Sequence, residues 1–197
     1  MKTFSTILLL CMFALIGCVP SQPIKMTTNN VAPKMQPDNQ NATLVLVGEN
    51  IAIDETGYKA YLGQKCIGAI QRNNSKHSFF ITAVTPGQHY LITEGNGHYC
   101  VGLFNFKAGK TYFIGQRTAP TYGIMGLNFR PSGFYPMTKN IQQILQTYSH
   151  NKYISSVKQP LEKQVYDDAI AIYHKDAKEN PEYFEEILSY NGIVVGK

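Results

Sequence analysis

From Thr43 onward, short apolar runs alternate with turn residues. The runs are "TLVLVG" (43–48), "YKAYLG" (58–63), "CIGAI" (66–70), "HSFFITAV" (77–84), "HYLITEG" (89–95), "HYCVGLFNF" (98–106) and "KTYFIG" (110–115). Each is rich in β-branched and aromatic residues, and their spacing of roughly ten residues predicts an antiparallel sandwich or barrel. Gly63-Gln64 suits a tight hairpin because glycine accepts positive φ. Pro86-Gly87 suits the centre of a type II turn, and Ala108-Gly109-Lys110 is a further turn entering a strand. The stretch "PTYGIMGLNFRPSGFYP" (120–136) reads either as a last strand with its loops or as an exposed aromatic surface.

After residue 136 the period becomes helical. Ile141, Ile144, Leu145 and Tyr148 recur at i, i+3, i+4 and i+7. Pro160 fits a first-turn position, after which Leu161, Val165, Ala169, Ile172 and Tyr173 share one face. Asn180-Pro181-Glu182 reads as cap, first position and acidic first turn of a last helix. That helix is expected to bury Phe184, Ile187 and Leu188 and to stop at Asn191-Gly192. The pattern thus predicts a mainly β protein, with a β-sandwich domain at 42–136 and an α-helical C-terminal segment of two or three helices at 137–197.

A different texture precedes the sandwich. Residues 19–41, "VPSQPIKMTTNNVAPKMQPDNQN", carry four prolines and many Asn, Gln, Ser and Thr without a hydrophobic period. That composition predicts a flexible tether with a reach of roughly 25–30 Å. Before it, Lys2 is followed by "ILLLCMFALIG" (7–17), eleven residues without a charge. A membrane-spanning helix needs roughly 20 apolar residues, so this segment has the length of a signal core instead.

The segment ends in Leu15-Ile16-Gly17-Cys18, which resembles a bacterial lipobox. The resemblance implies that Cys18 receives a thioether-linked diacylglycerol, that residues 1–17 are cut away as a signal peptide, and that the new amine is acylated. Residues 18–41 then form the lipidated cysteine and its tether. Each buried CH₂ contributes about 0.8 kcal/mol, and two or more chains make the attachment stable. Val19 in place of an aspartate implies, by the same resemblance, the outer membrane facing the periplasm.

Three stretches of the β region carry a second resemblance. Tyr61-Leu62 with Ile67-Gly68, Pro86-Gly87-Gln88-His89-Tyr90-Leu91, and Gly109-Lys110-Thr111-Tyr112 are similar to the recurring core of a domain-of-unknown-function family of lipoproteins related to PEGA domains. The resemblance implies an immunoglobulin-like or transthyretin-like antiparallel β-sandwich. The chain departs from that pattern by lacking Asp-Gly at the hairpin tip, and the family supplies no catalytic residues to carry over.

Composition adds modest constraints. Hydrophobic residues make up 44% and charged residues 16%, with 13 Tyr and no Trp. The net charge of +5 is divided unevenly: residues 40–150 hold nine basic against four acidic side chains, and residues 151–197 hold six against eight. Blocks of consecutive Lys or Arg do not occur, which excludes a nucleic-acid footprint.

Candidate chemistry is sparse. With Cys11 lost and Cys18 acylated, Cys66 and Cys100 remain. They form either a cross-strand or inter-sheet disulfide, given Cα atoms within about 7 Å, or two buried free thiols. His98-Tyr99-Cys100 places two ligand types on one strand face, and Cys66, His77 or His89 would have to join them. No paired motif such as C-x-x-C supports a metal there, and none is expected. His89 reads as a structural hydrogen-bonding residue. A Gly-x-Ser-x-Gly elbow does not occur in the sequence, and Asp167-Asp168 and Glu185-Glu186 read as solvated helix faces. No catalytic residues and no cofactor beyond the lipid on Cys18 are expected. Tyr122, Phe129, Phe134 and Tyr135, with Arg117 and Arg130, form a candidate ligand surface for glycan or peptide. The other reading, which the sequence favours, has these rings roofing the sandwich core or packing the C-terminal helices. The sequence therefore predicts a non-enzymatic, membrane-anchored envelope lipoprotein whose partner is another envelope protein or peptidoglycan. Glycan binding is the alternative activity.

Overall fold

The computed structural model describes residues 26–29, 39–48, 57–70, 78–95, 97–123, 126–139, 141–147, 149–153 and 159–194. Cys18 and the signal segment lie outside these residues. The strands are β1 (Met26–Asn29), β2 (Ala42–Gly48), β3 (Tyr58–Leu62), β4 (Lys65–Ile70) and β5 (Ser78–Val84), then β6 (Gly87–Gly95), β7 (His98–Phe106), β8 (Thr111–Gly123), β9 (Gly126–Pro136) and β10 (Ser149–Tyr153). The helices are α1 (Ile141–Thr147), α2 (Lys163–Glu179) and α3 (Pro181–Ser189).

Two sheets form a sandwich. One has the order β1-β10-β5-β2-β8-β9 and the other β4-β3-β6-β7. The core between them draws Leu44 and Leu46 from β2, Leu91 from β6, Phe104 and Phe106 from β7, Ile114 from β8 and Phe134 from β9. On β7 the alternation of half-buried and buried residues follows the pleat, with Cys100, Phe104 and Phe106 inward. On β2 almost every residue is buried. Its second face, Val45 and Val47, packs with Phe79, Phe113 and Ile144 under α1. That double coverage is why "TLVLV" is uninterrupted by polar residues. The outer face of the smaller sheet, with Tyr61, Cys66 and Ile92, is covered by Leu161 and by Ala169 of α2.

The sandwich with C-terminal helices matches the sequence reading, and each of the seven runs became a strand. Gly63, at φ +56°, turns β3 into β4 with Gln64 beside it. The last helix begins as read, with Asn180 as cap, Pro181 in the first turn and Ile187 buried. Several expectations need correction. The larger sheet is mixed, because β2 pairs parallel to β8 and β10 parallel to β5. The tether is not wholly without structure: Met26–Asn29 pairs antiparallel with β10. Nor is the tail purely helical, since β10 returns from it to the sheet. Ile172, placed by periodicity on the buried face of α2, is 51% exposed. The tail is tied back at its end, where Thr111 and Ile193 exchange two backbone hydrogen bonds of 2.8 Å.

Cys66 and Cys100 are buried thiols that do not bond each other, so of the two alternatives the disulfide is not formed. The topology forbids it. Cys66 lies on β4 and Cys100 on β7, at opposite edges of the four-stranded sheet. Three strand spacings separate them by about 14 Å, roughly twice the Cα reach of a disulfide. They also face opposite ways. Cys66 packs beside Tyr61 and Ile92 on the α2 side, whereas Cys100 belongs to the core between the sheets. Without reductant, peptide mapping should find both thiols alkylated by iodoacetamide in denaturant and largely spared in the native protein; a pair that stays unlabelled in denaturant would contradict this arrangement.

Candidate functional site

The two sheets meet edge to edge along β7 and β9, and α3 lies over the seam. A β-bulge shapes β9 there. Gly133 pairs with Arg117 and Pro131 with Thr118, leaving Ser132 as the extra residue. Such an insertion bends its strand and frees a residue from the ladder. Ser132 is exposed in consequence. Immediately beyond it, one phenol closes the edge. The Phe134 amide donates to Tyr183 Oη at 2.7 Å, and the same hydroxyl donates to the Phe134 carbonyl at 2.8 Å. An exposed edge strand is a template for unwanted pairing, and here a helix side chain occupies that position. Gly133 makes the approach possible, because a Cβ at that position would stand 2.9 Å from Tyr183 Oη.

Beneath the seam lies a buried polar cluster. Gln116 is 1% exposed and donates through Nε2 to the Gly133 carbonyl at 2.9 Å and to the Arg117 carbonyl at 2.8 Å. Thr93, equally inaccessible, donates to Gln116 Oε1 at 2.5 Å. The bulge thus has its carbonyl satisfied from within the core, which removes the cost of a buried unpaired group.

A cleft of about 70 Å³ opens beside this cluster. Tyr99, Cys100 and Val101 of β7 line one side, Asp176 of α2 another, and Tyr183 and Phe184 of α3 a third. Burial pushes the Cys100 thiol up to about 12, only partly offset by its hydrogen bond with Gln116, and the Asp176 charge pushes it the same way. At neutral pH Cys100 is therefore protonated and a poor nucleophile. Tyr183 is pushed up to about 12, chiefly by burial and then by Cys100, against the Phe134 hydrogen bond and Arg117. Burial, followed by the charges of Glu94 and Glu162, also raises Tyr99.

The sequence-predicted surface divides across the sandwich. Phe134 is 0% exposed and belongs to the core, so it offers no stacking face. Its position is fixed by the pleat: Phe134 pairs with the inward-facing Gln116 across β8 and β9. Tyr135 points to the opposite face, where its ring covers Gly115 and the Arg117 guanidinium stands 5.1 Å from its centroid. Arg117 and Arg130 are both exposed. Tyr122 and Phe129 occupy strand positions in β8 and β9, and their side chains are outside the described residues. The expected six-residue cluster is therefore not one surface. His89 takes the structural role read from the sequence, its Nε2 lying 2.9 Å from the Thr85 carbonyl across the Pro86-Gly87 turn. Among the described residues no three His, Cys, Asp or Glu side chains converge as a metal site. Asp167, Asp168, Glu185 and Glu186 are exposed.

Sequence reasoning did not single out Tyr183, Asp176, Tyr99 or Gln116. Tyr183 and Phe134 are 49 positions apart, and no local pattern marks their contact. The available signal was the number of tyrosines. Tyr112 bridges the Lys107 amide and the Asn105 carbonyl in the same manner, so the phenols serve as apolar filling with a hydrogen-bonding tip.

Tyr183→Phe should lower stability by about 1–3 kcal/mol, since both Phe134 backbone groups lose their partner; chemical denaturation measures it. Both raised groups hold their protons more tightly in the folded chain than at their ordinary values of 9.0 for Cys100 and 10.0 for Tyr183. Their contribution to stability is complete below those values and is lost as pH rises towards about 12. The urea midpoint should fall across that alkaline window, and Cys100→Ala should remove the earlier part of the decline.

No protein-family model, no curated protein and no solved structure matches this chain.

Proposed function

We propose that this protein is a membrane-anchored bacterial envelope lipoprotein that acts as a non-enzymatic interaction module, with the β8–β9 ribbon as its contact element. One observation carries the reading. Among the described residues β2 pairs with β8 as far as Gly48–Gln116, whereas β8 and β9 stay paired to Gly123–Gly126. The far half of the hairpin has no third strand among the described residues and forms a two-stranded ribbon. An isolated ribbon of this kind is marginal in water. Its sequence from Thr121 to Phe129 contains no charge and includes Tyr122, Ile124, Met125, Leu127 and Phe129. Arg117 and Arg130 flank it and supply orientation at the rim of a contact, where charges set register more than affinity.

The anchor completes the reading. Leu15-Ile16-Gly17-Cys18 supplies the lipid, and Val19 favours the outer membrane facing the periplasm. Among the described residues no helix is long and apolar enough to cross a membrane. Burial keeps the Cys100 thiol protonated at neutral pH, so it offers the cleft no thiolate nucleophile. Another envelope protein is the preferred partner. Glycan or peptidoglycan binding retains only Tyr122 and Phe129 of its four proposed rings, because Phe134 lies in the core and Arg117 occupies a face of Tyr135.

Cys18→Ser should move the protein out of the membrane fraction and end labelling by a palmitate analogue, and persistent labelling would remove the lipid anchor. A photocrosslinking residue at Arg130 should give one dominant envelope-protein adduct in intact cells. The same residue at exposed Lys178 should not, and equal adducts from both positions would remove the ribbon's role.

A further inference from the structure

The cleft at the β7–β9 seam has the chemistry of a receptor for a cation. Its Asp176 carboxylate is half-buried and forms no ion pair or side-chain hydrogen bond among the described residues. Asp176 also stands in the last turn of α2, where its backbone carbonyl accepts the capping bond from the Asn180 amide. A carboxylate at that end faces the negative pole of the helix, the reverse of the stabilising placement. Three rings share the cleft with it, those of Tyr99, Tyr183 and Phe184. Aromatic faces attract ammonium and guanidinium groups, more strongly where water is excluded.

The surrounding charge agrees. Glu94 and Glu162 act on Tyr99, Asp176 acts on Cys100, and Glu186 acts on Tyr183. Arg117 opposes them at Tyr183, but its guanidinium stacks on Tyr135 on the outer face of the large sheet. Size narrows the ligand further. Clefts for whole small molecules run to roughly 300–1,000 Å³, whereas this one offers about 70 Å³. Ala169, Val101 and the half-exposed Ile172 give it apolar walls suited to a short hydrocarbon stem.

We propose that this cleft binds a primary ammonium group carried on an apolar stem, of the kind a lysine side chain presents. The site is independent of the ribbon's contact role, and the test below reads small ligands only, so either can fail alone. Titration calorimetry of the full-length protein in detergent would use Nα-acetyl-lysine amide, its neutral Nε-acetylated form and phosphoethanolamine. The lysine derivative should bind, the neutral form should bind about tenfold more weakly or worse, and Asp176→Asn should weaken the lysine derivative about tenfold. Asp176→Glu should retain binding, and the melting temperature of Asp176→Asn should be unchanged or higher, because the variant relieves a charge at the helix end. Bound ligand should also slow alkylation of Cys100, which is 8% exposed at the cleft. Equal affinity for the charged and neutral derivatives, unaltered binding by Asp176→Asn, or equal affinity for phosphoethanolamine, whose ammonium has only a two-carbon link to a phosphate, would each overturn the assignment.

Discussion

The hydroxyl of Tyr183 bonds both backbone groups of Phe134, and much of the molecule is arranged around that contact. It fixes α3 to the outer edge of β9, and α3 in turn buries Ile187 in the core between the sheets. It needs Gly133 to be bare, and the carbonyl of Gly133 needs Gln116. Gln116 in turn holds Thr93 on the opposite sheet. Core, bulge, edge and helix are therefore one hydrogen-bonded unit, in which removing a member leaves the others with unpaired groups in a dry environment. The cleft is the space this unit leaves between α2, α3 and the seam.

The elements were legible because their periods are strong. The central β2 had to read as an unbroken apolar run, and β7 as an alternating one, since the first is buried on both faces and the second alternates between buried and half-buried positions. The Asn180-Pro181 start of α3 is local chemistry and was equally readable. Pairing was less so. The parallel alignment of Thr43 with Thr111 and the return of β10 to β5 depend on contacts distant in sequence. The cysteines illustrate the same limit. Their positions in strands were evident, but only the strand order and the pleat separate Cys66 from Cys100.

The candidate surface failed in a way the pleat explains. Phe134 and Tyr135 are adjacent in sequence, and adjacent strand residues face opposite sides. One became core and the other a partner for Arg117. An aromatic cluster in sequence becomes a platform only at alternate positions. The cleft was missed for a complementary reason: its rings and carboxylate come from β7, α2 and α3, each in a register that only the packed helices define.

The parallel pairing of β2 with β8 has a kinetic consequence. A chain made from its N-terminus presents "TLVLV" early, and β5 can cover one side of it. Its other neighbour is β8, and the lid over Val45 and Val47 is α1, both far later in the chain. Long-range parallel pairing is slow because loop closure precedes any gain from the contact. Until β8 arrives, the most apolar strand of the protein is an open edge, the configuration most prone to pairing with another chain. Safe passage of the nascent chain therefore depends on how quickly β8, and then α1, follow β2.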